Sequence, residues 1–91
     1  MHHKIKWISD PSHSWLQVSK SFIQELNIST LISNYSYEDD TNVFLEEDCD
    51  AAIFIRESHK AGYKINFAAI PELTYNTDAP VRSKDRFCNW R

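Results

Sequence analysis

The chain has 91 residues, a formal net charge of −3 and a single glycine. This length suits one domain of below-average size, which buries about 60–65% of the surface of its unfolded chain. One glycine excludes a glycine-rich phosphate-binding loop. The polar, basic N-terminus has no apolar signal sequence and no apolar run reaches the roughly 18 residues of a membrane span, so we expect a cytoplasmic protein without membrane contact.

The first third of the chain predicts a strand, a loop and a helix. Residues 4–8 contain the apolar, β-favouring Ile5, Trp7 and Ile8, and an Asp-Pro pair that favours a turn follows at residues 10–11. Residues 10–15 are therefore predicted to be a loop. Apolar side chains recur at helical spacing over residues 19–26, and Ser19 is placed to cap this predicted helix.

A hairpin is predicted in the middle of the chain. Tyr35 and Tyr37 alternate as they do in a strand, and residues 43–45 are apolar and β-favouring. Residues 38–42 between them are acidic and polar, as is typical of a hairpin tip. The two runs are therefore predicted to be antiparallel neighbours.

A second helix and a final strand complete the pattern. Asp48 is a suitable N-cap for the helix, and Gly62 stands where a left-handed residue ends a helix at little cost. Residues 63–69 alternate apolar with polar or small side chains, which predicts a strand.

The order β-α-β-β-α-β indicates an α+β fold. It predicts a two-layer sandwich in which a four-stranded sheet carries two helices on one face. Residues 1–73 form this single domain, and residues 74–91 are a polar, basic C-terminal tail without periodicity. Phe87 and Trp90 either dock this tail onto the domain or offer it to a partner.

Residues 38–50 hold seven of the thirteen acids and no Lys or Arg, whereas both flanking segments carry net positive charge. The acids are Glu38, Asp39, Asp40, Glu46, Glu47, Asp48 and Asp50. One interpretation divides them between a solvated hairpin tip and the start of a helix. The other joins them into one anionic ridge that resembles a phosphate backbone and fits the basic groove of a nucleic-acid-binding protein.

Aromatic residues and a histidine supply further candidate contacts. His13 and Trp15 follow the first strand, and Tyr35 and Tyr37 precede the acidic residues. Large aromatic side chains dominate the binding energy of many interfaces, so we include all four among the predicted partner contacts. Cys49 is flanked by acids that disfavour a thiolate, and we expect it to be a packed thiol.

Two alternatives of another class stay open. A metal-binding protein or hydrolase would be centred on Asp10, His13 and Glu47, since carboxylate and imidazole groups bind divalent cations. A nucleic-acid-binding module would use the basic residues of the C-terminal tail, although the nearby acids would repel the same ligand.

Residues 8–16, 35–37 and 45–51 resemble a family of small uncharacterised bacteriophage and prophage proteins with SDPxHxWL-like and YLEEDCDA-like motifs. The resemblance implies a viral setting and no assigned activity. Small acidic phage proteins often block host machinery, and anti-CRISPR proteins are among them. We therefore expect a non-enzymatic inhibitor that uses its acidic surface, without cofactor or metal and without direct nucleic-acid contact. Its partner would be a host protein, such as a nucleic-acid-handling defence complex, or a second copy of the chain.

Overall fold

The structure, a computed structural model, describes residues 4–88 and shows the predicted α+β class. The strands are β1 (Lys6–Ser9), β2 (Ser14–Ser19), β3 (Tyr37–Glu38), β4 (Asn42–Glu46), β5 (Glu72–Thr74) and β6 (Asp85–Arg86). The helices are α1 (Lys20–Leu26) and α2 (Asp50–Lys60), with 3-10 turns at Ser29–Leu31, Phe67–Ala69 and Pro80–Ser83. The sheet has six strands rather than the predicted four, in the order β5-β1-β2-β4-β3-β6. Only the β5–β1 pair is parallel.

Strand β2 is the first difference from the sequence prediction. The predicted loop of residues 10–15 ends early, because the Asp10 side chain accepts the backbone N–H groups of Ser12 and His13, both at 3.0 Å. These bonds close a tight turn, and β2 begins at Ser14 and pairs antiparallel with β1. The sequence predicts Trp15 in the loop, but Trp15 lies in this strand.

The main core lies between the sheet and both helices. It contains Leu16, Val18, Phe22, Ile23, Val43, Leu45, Ala51 and Phe54, among other buried residues. The rings of Phe22 in α1 and Phe54 in α2 meet edge to face, with centroids 5.2 Å apart. The two helices therefore share one core, as predicted.

Local capping explains where the helices start and stop. Ser19 Oγ accepts the Phe22 N–H at 3.1 Å, which confirms the predicted cap of α1. Gly62 has φ +95° just after α2, a left-handed conformation that suits glycine. Asp48 was the predicted N-cap of α2, but the capping position belongs to Cys49, whose side chain makes no cap hydrogen bond.

Residues 63–69 do not form the predicted strand. Tyr63, Ile65 and Phe67 are half-buried against the main core, while the residues between them are exposed. The two-residue alternation therefore reflects packing of these side chains against the core rather than pairing within the sheet, and residues 67–69 form a 3-10 turn. The strand that joins β1 is β5, further along the chain.

The predicted tail packs onto the domain as far as the structure describes it. Ala79 and Val81 are buried on the sheet face opposite the helices, which we call the outer face. Phe87 is buried in the main core. It therefore docks this segment onto the domain, which is one of the two roles predicted for it. Trp90 lies outside the described residues.

One ion pair fastens this C-terminal segment to the β1–β2 turn. Arg82 Nε and Nη2 donate to the two Asp10 oxygens at 2.7 and 3.0 Å, and the Ala79 N–H donates to Asp10 at 2.9 Å. The Asp10 side chain is fully buried and that of Arg82 is 28% exposed. The Arg82 hydrogen bond outweighs burial and holds the pKa of the Asp10 carboxyl well below its usual range.

Acidification should destabilise the protein through Asp10. Because its carboxyl pKa is depressed in the folded state, its contribution to stability is complete above the unfolded-state pKa of about 3.9 and is lost as the pH falls toward the folded-state pKa. We expect Asp10→Asn to lower the free energy of unfolding by about 3 kcal/mol at neutral pH. In urea titrations the variant should also show a weaker loss of stability in acid.

Asp78→Asn is the matched control for this substitution. The Asp78 carboxylate also lies near Arg82, at 3.8 Å from Nε, but its side chain is 87% exposed. An exposed pair of this kind contributes less than about 1 kcal/mol. Equal losses of unfolding free energy in Asp10→Asn and Asp78→Asn would contradict the role given to the buried Asp10 carboxylate.

Candidate functional site

The acids of residues 38–50 form two groups at opposite ends of β4. The first group, residues 38–40, lies at the hairpin tip, and the second, residues 46–50, leads into α2. Strand β4 runs from Asn42 to Glu46, and at about 3.4 Å per residue its ends are roughly 14 Å apart. The single anionic ridge expected from the sequence is therefore not formed, because the strand separates its two halves.

Most charge in the first group is already neutralised. Glu38 pairs with Lys20 at 3.0 Å, and Asp39 pairs with Lys84 at 3.2 Å. Burial opposes ionisation of Asp39, but hydrogen bonds from two backbone N–H groups of the turn and from Lys84 lower the pKa of its carboxyl. Asp40 is exposed at the tip.

The second group has three different structural roles. Glu46 Oε1 accepts the backbone N–H groups of Asp48 and Cys49, both at 3.0 Å, and so stabilises the turn before α2. Asp50 is 1% exposed and lies inside the fold, so it does not reach a partner as predicted. Glu47 and Asp48 are exposed, and they are the acids of this group that remain open to solvent.

A pocket of about 410 Å³ lies beside this second group, on the outer face of the sheet. Six of the predicted contact residues line it: His13, Trp15, Tyr35, Tyr37, Glu46 and Asp48. Arg82, Arg86 and Cys49 complete the lining. These residues come from separate parts of the chain, and the fold brings them to one place.

The sheet register builds the floor of the pocket. Trp15 in β2 is directly opposite Glu46 in β4, and Tyr37 in β3 is directly opposite Arg86 in β6. The Trp15 and Tyr37 rings meet edge to face at 6.2 Å. With 2% and 9% exposure, these two residues form the floor rather than the exposed anchors expected from the sequence.

Two guanidinium groups stand over these rings. Arg82 Cζ lies 5.3 Å from the Trp15 ring centroid, and Arg86 Cζ lies 4.5 Å from the Tyr37 ring centroid. Both distances are typical of cation–π contacts. The sequence placed both arginines in a basic tail, and only the pairing of β6 with β3 explains why Arg86 reaches the pocket.

The buried Asp50 carboxylate fixes the loop that carries Tyr35. Asp50 Oδ2 accepts hydrogen bonds from Ser33 N, Ser33 Oγ and Ser36 Oγ at 3.1, 2.7 and 2.5 Å. Ser36 Oγ in turn accepts the Glu46 N–H at 3.0 Å, and Ser33 Oγ accepts the Tyr35 N–H at 3.1 Å. Tyr35 is therefore 62% exposed while its backbone is held from both sides.

Cys49 is exposed at the pocket wall rather than packed as predicted. Local desolvation raises the pKa of its thiol, and the nearby carboxylates of Glu46, Asp50 and Asp48 raise it further. The thiol form is therefore favoured, which agrees with the acids that flank this residue in the sequence.

Within the described residues, several side chains named for the two alternative sites are engaged in other contacts. Both oxygens of Asp10 are engaged by Arg82, and within residues 4–88 no three His, Cys, Asp or Glu side chains are grouped to hold a metal ion. Of the bases proposed to bind nucleic acid, Arg82 and Lys84 are paired with Asp10 and Asp39.

Comparisons with known protein families, with curated proteins and with solved structures find no match to this chain. No helix of the described part of the chain is long and apolar enough to cross a membrane. Because no known protein suggests a role, the proposal below is based on the residues of the pocket.

Removing the Ser36 hydroxyl should loosen the Tyr35 loop. Ser36 is fully buried, and its Oγ serves both Asp50 and the Glu46 N–H. Ser36→Ala leaves these two buried groups with one partner fewer, so we expect the free energy of unfolding to fall by about 1–3 kcal/mol. Amide hydrogen exchange of residues 33–37 should become faster.

Ser83→Ala provides the comparison, because Ser83 Oγ donates a hydrogen bond to the Pro80 carbonyl at an exposed site. This control should change stability by less than about 0.5 kcal/mol. If the two serine variants behave alike, Ser36 does not hold the loop.

Proposed function

We propose that this protein is a non-enzymatic inhibitor of the phage type, which binds a host protein in the bacterial cytoplasm and blocks its action. The supporting observation is the exposed Tyr35 beside a pocket with an aromatic floor and two arginines. Tyr, Trp and Arg are the residue types that most often dominate the energy of protein–protein binding.

The position of Tyr35 supports a binding role. Its loop is fastened to the start of α2 through Ser33 and Asp50, so the exposed ring stands on a fixed backbone. A side chain presented in this way loses little conformational freedom when a partner covers it. Within the described residues, Tyr35 belongs to neither hydrophobic core cluster.

The acids that remain exposed suggest the charge of the partner. Asp48 lines the pocket, the exposed Glu47 precedes it in the chain, and no Lys or Arg occurs in residues 38–50. An electronegative rim attracts a basic surface and speeds its approach. A nucleic-acid-handling defence complex of the host has such a surface, and the resemblance to phage proteins favours the same class of partner, including the targets of anti-CRISPR proteins.

Replacement of Tyr35 should remove partner binding without unfolding the protein. We expect wild-type protein, tagged and incubated with host lysate, to retain a specific protein that Tyr35→Ala retains at least about tenfold less, as for loss of a hot-spot residue. Quantitative mass spectrometry of the retained proteins is the measurement.

Leu73→Ala is the control for this experiment. Leu73 is also a large, exposed apolar residue, at 42%, but it lies in β5 and does not line the pocket. It should retain the same protein as wild type. Identical retention by all three proteins, or no specific retention by wild type, would refute the proposed contact surface.

Charge reversal at the rim should weaken binding to that retained protein. Asp48→Lys places a cation beside the pocket, and we expect about a tenfold loss of affinity at 0.15 M salt, mostly through a slower association rate. Surface plasmon resonance at several salt concentrations would measure this. Glu72→Lys changes the net charge equally in β5 and should have a smaller effect; equal losses would show that only overall charge matters.

A further inference from the structure

Within residues 4–88, no carboxylate neutralises the charge of Arg86. Residues 4–88 contain three arginines, and two of them pair with carboxylates: Arg56 with Glu57 at 2.9 Å and Arg82 with Asp10 at 2.7 Å. No carboxylate of the described residues lies within ion-pairing distance of Arg86. This unpaired guanidinium lines the pocket.

The Arg86 side chain is nevertheless held in place. Its guanidinium lies 4.5 Å from the Tyr37 ring centroid, and Nη1 donates to the Asn34 carbonyl at 3.3 Å. The pairing of β6 with β3 fixes its backbone opposite Tyr37. A guanidinium has five N–H donors, so with one used about four remain for another group. A planar, pre-positioned guanidinium of this kind matches the two oxygens of a carboxylate.

The charges around the pocket restrict which anion fits. Glu46 and Asp48 line the same pocket, and Glu47 lies next to them in the chain. A nucleic-acid strand would bring several phosphates close to these carboxylates and be repelled. A single carboxylate of a partner protein can pair with Arg86 while the rest of that protein stays away from Glu46 and Asp48.

We propose that Arg86 binds an aspartate or glutamate side chain of the partner protein in this pocket, beside the exposed ring of Tyr35. The inference rests on the proposed function, because it names the chemistry by which the same surface recognises its partner. The partner surface would then combine an overall basic character, suited to the acidic rim, with one acidic residue aimed at Arg86. This combination also gives specificity, since a uniformly basic surface would place a cation against Arg86.

The test uses small amides that carry one side chain each. The isotopically labelled full-length protein is titrated with N-acetyl-aspartate N-methylamide and, at matched ionic strength, with the neutral N-acetyl-asparagine N-methylamide. Nuclear magnetic resonance follows Arg86 Nε–H and the Tyr37 and Trp15 signals. We expect saturable shifts with the acidic amide alone, and at least about tenfold weaker binding in Arg86→Gln, as for loss of a charge-assisted pair.

Arg56→Gln is the control, because Arg56 is an exposed arginine in α2 outside the pocket. It should bind the acidic amide as wild type does. No saturable shift of wild type up to the solubility limit of the acidic amide would overturn the proposal, as would stronger binding of N-acetyl-arginine N-methylamide at the same residues. The wild-type titrations decide the matter even if Arg86→Gln fails to fold.

Failure of this inference and failure of the proposed function can be told apart. In one outcome, wild type retains a host protein that Tyr35→Ala does not retain, but wild type does not bind the acidic amide. This outcome refutes the role of Arg86 and leaves the inhibitor proposal intact. Binding of the acidic amide without any Tyr35-dependent retention supports the carboxylate site and refutes its use by a host protein.

Discussion

The buried Asp10–Arg82 pair decides how the outer face of the sheet is covered. It joins the turn after β1 to a segment 72 positions later, and the same segment places Val81 against the outer cluster. The guanidinium that satisfies Asp10 also stands over the Trp15 ring and forms a wall of the pocket. This one contact therefore contributes to both the stability and the shape of the candidate site, and the hydrogen bonds from Arg82 and Ala79 offset the cost of burying the ionised carboxylate.

The acidic residues show why a high density of charge along the sequence does not predict which of those charges lie at the protein surface. Asp50 accepts three hydrogen bonds inside the fold, Glu46 closes a turn, and Glu38 pairs with Lys20. The sequence indicated their proximity along the chain but not the strand that separates them. Tyr35 and five other residues that residue type predicts as partner contacts line the pocket, whereas Arg86 was not among those predicted contacts, because its position depends on a pairing between distant strands.

Two of the predictions that rest on local physics were accurate for the fold. The Ser19 cap and the left-handed Gly62 were identified because each depends on a few adjacent residues. Strand β2 was missed because Trp15 follows a polar, turn-favouring segment, and the side-chain bonds that close that turn after three residues cannot be read from composition. Residues 63–69 show the converse error, since alternation reports which side chains are buried and says nothing about whether a neighbouring strand is present.

The strand order also constrains how the protein is made. The four central strands come from residues 6–46, while both edge strands, β5 and β6, come from residues 72–86. On the ribosome the central strands emerge first, with unpaired backbone on each side of the sheet, until the later residues leave the exit tunnel. Closure of the sheet is thus a late, long-range event in synthesis, and the nascent chain is most exposed to aggregation and to chaperones just before it.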